Sequence, residues 1–217
     1  MADTHSRAGT SYFNPALLEW VAKTHAPHDA GLARAFDAPA HEGMPAIQVG
    51  ASEGKLLGLL LKLRGAKKVV EVGTLAGYSA VHLARALPED GRLWTIEVDP
   101  HHAAVARANL EAAGVSSKVE VVEGDGPEAL RRLEAQGPFC AVFLDADKER
   151  YDVYGRWAAQ HLRPGGLLLG DNAFLFGQLL EDTPRGEAMR RFHEEARAAF
   201  DTVCIPTPDG LLLGLKR

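Results

Sequence analysis

Residues 68–79, KVVEVGTLAGYS, carry the local pattern from which the fold class follows. The apolar run at 68–72 is typical of a buried strand that ends at Gly73, and the spacing over 79–86 is helical. Leu75 stands where the dinucleotide fingerprint Gly-x-Gly-x-x-Gly requires its second glycine. The segment therefore predicts a strand that turns through glycines into a helix, and it disfavours a nicotinamide oxidoreductase.

The alternation of strands and helices continues toward the C-terminus. Short apolar runs predict strands at 92–98, 119–122, 139–144 and 167–169, with a turn at 163–166 before the last. Helical spacing predicts helices at 100–113, 127–135, 150–162 and 184–200, and a hairpin follows at 202–205 and 211–215. This order predicts an α/β fold with a doubly wound, Rossmann-like, mostly parallel sheet that a C-terminal antiparallel hairpin completes.

The N-terminal part of the chain is predicted to be a helical extension that precedes the sheet. Residues 11–64 contain helical patterns at 13–23 and 52–63, and Ser52 is the predicted N-cap of the second. The polar residues 1–10 are predicted to form a flexible tail. Because 217 residues is an ordinary length for one domain, we expect 11–217 to form a single domain.

Composition excludes several classes of protein. Acidic residues outnumber basic ones by 29 to 24, which gives a formal charge of -5 and disfavours a nucleic-acid partner. No apolar run approaches the roughly 20 residues of a membrane span, so no membrane partner is expected. The polar N-terminus lacks the apolar region of a secretory signal, and Cys140 and Cys204 lie in apolar stretches typical of buried, reduced thiols. We therefore expect a cytoplasmic protein.

Acidic residues stand at the ends of the second and third predicted strands. Ligands of open α/β sheets bind beyond the carboxyl ends of the strands, where Glu97 could accept hydrogen bonds from ribose hydroxyls. Asp125, between Gly124 and Gly126, could accept from an adenine amino group. An exposed acid and a helix cap are the alternatives. Together these turns favour a nucleoside ligand, and the chain has no phosphate-binding Gly-x-x-x-x-Gly-Lys-Ser/Thr loop.

A second group of polar residues follows the fourth and fifth predicted strands. Asp145, Asp171 and Asn172 would converge at one sheet edge if these strands are neighbours. Carboxylate and amide oxygens suit Mg²⁺, although strand-end acids also serve as helix caps. Lys148 follows closely, and a surface ion pair is its simplest interpretation from the residues alone.

These motifs together resemble a known family. Residues 71–79 (EVGTLAGYS), 145–148 (DADK), 162–166 (LRPGG) and 171–172 (DN) are similar, in order and spacing, to the cation-dependent S-adenosylmethionine O-methyltransferases. That group contains caffeoyl-CoA O-methyltransferase and catechol O-methyltransferase. The resemblance covers residues 45–217 and implies the class I methyltransferase form of the Rossmann-like sheet.

The resemblance implies a role for each matching residue. Those expected to bind the cofactor, S-adenosylmethionine, are Val49, Glu71, Gly73, Thr74, Ser79, Glu97, Asp125, Gly126, Asp145 and Asp147. Val49, Gly73, Thr74 and Ser79 would hold its methionine end, Glu97 its ribose, and Asp125 and Gly126 would edge its adenine. Asp145, Asp171 and Asn172 would bind Mg²⁺ or another divalent cation such as Mn²⁺ or Ca²⁺, with Lys148 as the catalytic lysine beside Asp145.

The expected reaction is methylation of one hydroxyl of a catechol-like aromatic diol. A metal-independent small-molecule methyltransferase and a non-catalytic binder of the same cofactor are the alternatives. The resemblance also implies a homodimer. Residues 173–177 (AFLFG) depart from the many relatives that have a Trp and a polar residue there, so a more apolar acceptor wall is expected and no plant phenylpropanoid substrate is carried over.

Overall fold

The computed structural model describes residue 4, residue 9 and residues 12–217, and its strands form one seven-stranded sheet. The strands are β1 (Lys68–Val72), β2 (Arg92–Glu97), β3 (Val119–Glu123), β4 (Phe139–Leu144), β5 (Leu162–Gly170), β6 (Phe200–Ile205) and β7 (Leu211–Lys216). Their order is β3-β2-β1-β4-β5-β7-β6, parallel from β3 to β5, with β7 antiparallel to both of its neighbours. The predicted mostly parallel sheet with a C-terminal hairpin is confirmed.

Helices cover both faces of the sheet, which explains why its central strands are almost continuously apolar. The α-helices of the described residues are α1 (Pro15–His25), α2 (Ala30–His41), α3 (Ala51–Arg64), α4 (Tyr78–Ala86), α5 (Pro100–Ala112), α6 (Gly126–Leu133), α7 (Tyr151–His161) and α8 (Pro184–Ala199). Leu57 of α3 and Leu110 of α5 belong to the core on one face, while Tyr154 of α7 and Phe192 of α8 belong to the core on the other. All six residues of β4 between them are buried.

The N-terminal helices differ in detail from the predicted ones. Helix α1 is capped by the Asn14 side chain, and α2, which the sequence pattern did not locate, is capped by Asp29. The prediction of Ser52 as a cap is wrong, because α3 begins at Ala51 with Gly50 as its N-cap. Glu53, inside the first turn, caps the helix instead, because its Oε2 accepts a hydrogen bond of 2.9 Å from the Gly50 backbone N–H.

Two further expectations concern local conformation and the chain terminus. The turn predicted at 163–166 is an irregularity inside β5, where the register with β4 shifts between Phe139 and Ala141 and Gly165 adopts a φ of +70°. The predicted flexible tail, 1–10, lies outside the described residues apart from 4 and 9. Over the described part of the chain, no helix has the length and apolarity needed to cross a membrane.

The strand order fixes where a ligand can bind. The chain runs outward from β1 to β3 on one side of the sheet and then returns to place β4 on the other side of β1. Connections therefore leave in opposite directions at the carboxyl ends of β1 and β4, which opens a crevice there.

The floor of this crevice depends on Gly73, the residue after β1. Its φ is +98°, and a Cβ atom at this position would lie 1.9 Å from the backbone oxygen of Asp145, the residue after β4. No side chain fits between two backbones at that distance. The absence of a Cβ at residue 73 is therefore a condition for the two strand ends to meet.

We expect Gly73→Ala to lower the free energy of unfolding by about 3 kcal/mol or more, because the new methyl group must push the ends of β1 and β4 apart. Gly114→Ala is the matched control: its φ is +70°, but no atom lies within 4 Å of the added Cβ. That control should lose only about 1 kcal/mol, the cost of a left-handed backbone for alanine. Urea unfolding of both variants measures the difference, and equal losses would contradict the steric explanation.

Candidate functional site

A cavity of about 770 Å³ opens at the carboxyl ends of the parallel strands. Most of the predicted site residues line it, namely Val49, Gly73, Thr74, Ser79, Glu97, Gly126, Asp145, Asp147, Lys148 and Asn172. The side chains of Glu71, Asp125 and Asp171 do not contribute to its wall. The structure therefore brings the predicted residues to one edge of the sheet, with ten of them on the cavity wall, Glu71 and Asp171 buried, and Asp125 partly exposed off the wall.

Glu97, at the end of β2, is held by backbone hydrogen bonds. Its Oε2 accepts from the N–H groups of Thr74 at 3.2 Å and Leu75 at 2.8 Å, and its Oε1 accepts from Asp99 at 3.0 Å. These bonds orient the carboxylate and leave one lone pair, on Oε1, for a further donor, because Oε2 already accepts two hydrogen bonds. The geometry suits a group that accepts a hydrogen bond from a hydroxyl on a ligand.

Glu71 is fully buried behind the turn and ends a chain of hydroxyl groups. The Thr95 hydroxyl donates to Glu71 Oε2 at 2.6 Å, and the Thr74 and Thr95 hydroxyl oxygens are 2.5 Å apart. Glu71 Oε1 has no hydrogen-bond partner within the described structure. Burial raises the pKa of Glu71 to about 8, against the opposing effects of Ser79 and Thr95.

Asp145 follows β4 and Asp171 follows β5, and the backbone N–H of each extends the hydrogen bonding with the neighbouring strand. The Asp145 N–H donates to the Val72 carbonyl and the Asp171 N–H donates to the Leu144 carbonyl, each at 2.9 Å. Burial and the charge of Asp145 raise the pKa of Asp171 to about 7, and the Lys148 ammonium opposes this increase. Two acidic groups are thus held close enough to repel each other.

Asn172 supplies the third candidate oxygen, beside Asp145 on the cavity wall. Its φ of +53° lies in the left-handed region, which asparagine tolerates better than most residues. Asp171 borders a small recess with Val49 and Glu53. In the part of the chain that the structure describes, no three His, Cys, Asp or Glu side chains could hold a metal ion. The candidate set is accordingly two carboxylates and an amide, a hard-oxygen set whose mutual repulsion a divalent cation would relieve.

Lys148 is almost completely buried and lies beside Asp145. Its Nζ is 2.9 Å from Asp145 Oδ1 and 2.8 Å from the Tyr151 hydroxyl oxygen. Tyr151 in turn lies within 3.0 Å of the backbone oxygens of Leu144 and Asp171, to which its hydroxyl donates. The interpretation of Lys148 as a surface lysine is wrong, because its side chain is buried beside Asp145, one of the predicted metal ligands.

The predicted adenine edge contains a residue that sequence reasoning missed. Asp125 stands at the N-cap position of α6 but makes no side-chain cap bond there; it accepts a hydrogen bond of 2.6 Å from Arg150. Arg150 also donates to Asp147 at 2.6 Å, and the Tyr154 hydroxyl donates to the other oxygen of Asp147 at 2.6 Å. Arg150 and Tyr154 both line the cavity. The local sequence alone does not mark Arg150, since Asp147 is three residues away but Asp125 is 25 residues away.

Part of the cavity wall is apolar, and Phe176 of the 173–177 segment belongs to this part. Phe176 lines it with 60% of its surface exposed, together with Ile47 and Arg185. The Phe176 backbone N–H donates to Asp209 Oδ1 at 2.8 Å, so the β6–β7 turn holds this loop. Phe174 instead packs on Gly210, where an added Cβ would lie 2.8 Å from its ring.

Comparison with known proteins adds independent information. The family model described as O-methyltransferase matches residues 24–217. A catechol O-methyltransferase of Niastella koreensis is 45% identical over 201 residues, covering 87% of this chain and 91% of that protein. A catechol O-methyltransferase of Mycobacterium tuberculosis is 42% identical over 175 residues, covering 81% and 79%. The crystal structure of a Bacillus cereus O-methyltransferase in complex with S-adenosylhomocysteine has a TM-score of 0.89 and 33% identity, covering 93% of this chain and 97% of that one.

The raised pKa of Glu71 predicts a pH-dependent stability. Between its ordinary pKa of 4.5 and its folded pKa of about 8, the native state keeps a proton that the unfolded state has lost. The free energy of unfolding therefore falls as the pH rises through this range, by up to about 1.4 kcal/mol per pH unit, and levels off above pH 8. Glu71→Gln removes this component, so its stability should fall less than that of the wild type.

Urea unfolding at several pH values between 5 and 9 measures this difference, and Glu120→Gln, on the exposed surface of β3, is the control. Parallel pH profiles for the wild type and Glu71→Gln would show that Glu71 does not hold the proton.

Proposed function

Because this chain belongs to the O-methyltransferase family and is an S-adenosylmethionine-dependent member of it, we propose that it methylates one hydroxyl of a catechol-like acceptor with the help of a divalent cation. The observation that carries the proposal is the position of Lys148, 2.9 Å from Asp145, in a cavity that Asn172 also lines. A cofactor-binding module needs neither a buried lysine nor a cluster of oxygen ligands beside its cofactor.

The proposed chemistry follows from the acidity of the acceptor. S-adenosylmethionine would supply a methyl group on a sulfonium: an oxygen nucleophile would attack the methyl carbon in line as the S–C bond breaks, and the thioether S-adenosylhomocysteine would leave. A phenol with a pKa of about 10 is largely protonated at neutral pH and therefore a poor nucleophile. A divalent cation bound by Asp145, Asp171 and Asn172 would bind the vicinal oxygens and favour the ionised phenol.

The protein's own residues orient the reactants. Glu97 would accept a hydrogen bond from the ribose through Oε1, where its backbone hydrogen bonds leave one lone pair, with the Gly73 turn against the methionine end of the cofactor. Lys148 would either accept the phenol proton at Nζ as a neutral amine or, as an ammonium, hold the phenolate by its charge. Its contacts with Asp145 and Tyr151 fix Nζ in place for both roles.

The acceptor class is supported by the names of the relatives and by the shape of the cavity. The two relatives described above are named catechol O-methyltransferases. Phe176 and Ile47 offer apolar surfaces for an aromatic ring near Asn172. The proposal includes a homodimer, for which the exposed side chains of Leu17, Leu18 and Trp20 on α1 provide an apolar face.

The metal part of the proposal predicts that chelation abolishes turnover. Methyl transfer from S-adenosylmethionine to a panel of catechols should stop in excess EDTA and return when Mg²⁺ is added in excess of the chelator. Binding of S-adenosylhomocysteine, measured in parallel by calorimetry, should change much less. Turnover that is indifferent to EDTA would remove the metal mechanism, and binding without turnover on any catechol would point to another acceptor or a non-catalytic binder.

Lys148→Met should lower kcat by about 100-fold or more, the usual effect of removing a general acid–base group. Its affinity for S-adenosylhomocysteine should stay within about twofold of the wild type, as expected for a group that acts on the acceptor. Lys67→Met is the matched control, since Lys67 is exposed and pairs with Asp90 on the surface. Near-normal turnover of Lys148→Met would remove this lysine from the mechanism.

A further inference from the structure

Arg150 connects the ends of two strands across the cavity. Its Nη1 lies 2.6 Å from Asp125, which follows β3, and its Nε lies 2.6 Å from Asp147, which follows β4. Tyr154 also fixes Asp147, with its hydroxyl 2.6 Å from the second carboxylate oxygen. Asp125 and Asp147 thus hold the guanidinium group in a defined orientation, and Tyr154 supports this orientation through Asp147.

The guanidinium, and not the carboxylate of Asp125, faces the ligand space. Arg150 lines the cavity, whereas Asp125 does not. The resemblance implies that Asp125 edges the adenine of the cofactor, and its Oδ1 accepts a hydrogen bond from Arg150. The charged side chain that lines the cavity at this end is therefore that of the arginine.

The adenine end of the cavity can be located from the sheet, given the proposed use of S-adenosylmethionine on which this inference rests. Glu97 marks the ribose position at the end of β2, and Gly124 and Gly126 line the cavity beyond it, at the end of β3. Arg150 lies at this end through its contact with Asp125, the residue between those glycines.

We propose that the Arg150 guanidinium forms one wall of the adenine subsite and packs against the purine ring, while Asp125 and Asp147 act as positioning residues through it. A guanidinium is planar and stacks on aromatic surfaces. The two carboxylates more than balance its positive charge, so the cationic sulfonium of the cofactor meets no net repulsion from this cluster. The arginine is thus a cofactor-binding residue of this chain.

The test measures binding by calorimetry and needs no methyl acceptor. S-adenosylhomocysteine and methylthioadenosine share the adenosine part, but the second lacks the amino-acid end. Arg150→Gln should weaken both by about tenfold, because the lost contact lies at the part they share. Arg150→Lys should not restore binding, since an ammonium group has neither the plane nor the fork that bridges two carboxylates. Arg131→Gln, a surface arginine outside the cavity wall, should bind both ligands like the wild type.

A second comparison separates Arg150 from Asp125. Asp125→Asn should weaken binding in the wild-type background but add nothing to Arg150→Gln, because Asp125 acts through the arginine. An analogue of S-adenosylhomocysteine without the adenine amino group should lose the same factor in affinity with the wild type and with Asp125→Asn. In turnover, Arg150→Gln should raise KM for S-adenosylmethionine about tenfold and leave kcat within about twofold.

Three results would overturn the inference: unchanged binding by Arg150→Gln, weaker binding of S-adenosylhomocysteine alone, or a loss of discrimination against the amino-free analogue in Asp125→Asn. Each leaves the proposed function standing. Failure of the wild type to bind S-adenosylhomocysteine would overturn both proposals, whereas good binding without turnover on catechols would affect only the proposed function.

Discussion

The site depends on the contact between two backbones, Gly73 after β1 and Asp145 after β4. Where they meet, the two backbones lie in contact with no side chain between them. The contact places the turn after β1 directly beside Asp145, and hence beside Lys148. A reaction between two bound molecules needs their reacting atoms about 3 Å apart, and this junction is where the fold supplies that proximity.

Four acidic side chains lie around this junction, and Lys148 is the one buried lysine near them in the described structure. Glu71, Glu97 and Asp171 are buried, whereas 24% of the Asp145 side chain is exposed. Burial raises the pKa of Glu71 to about 8, so Glu71 is neutral near pH 7, and burial together with the charge of Asp145 raises the pKa of Asp171. The ionised groups of such a region favour positively charged ligands. Both proposed ligands, a sulfonium and a divalent metal ion, are cations and would therefore reduce the repulsion between these carboxylates.

The sheet and most of the cavity wall could be predicted from the sequence because local sequence patterns determine both. Strand periodicity placed Glu97 and Asp145 at carboxyl ends, and parallel strands bring such ends to one edge whatever the side chains between them. Prediction failed where distant segments decide the outcome. Arg150 was missed because Asp125, one of its two carboxylate partners, lies 25 residues away in the sequence. The error at Ser52 is of another kind, because the bond from the Gly50 N–H to Glu53 spans only three residues and is a local capping pattern.

Two sets of hydrogen bonds hold the loop that carries Phe176. Within the loop, Leu175 N–H donates to the Asn172 carbonyl and Gly177 N–H donates to the Phe174 carbonyl. The other set runs to the β6–β7 turn: Ala173 N–H to the Gly210 carbonyl, Phe174 N–H to the Asp209 carbonyl and Phe176 N–H to the Asp209 side chain. The position of Phe176 on the cavity wall thus depends on a segment more than 30 residues away in the chain. If Phe176 contacts the acceptor as proposed, an exchange of substrate preference between relatives would require both segments, because the loop alone would lose its bonds to the turn.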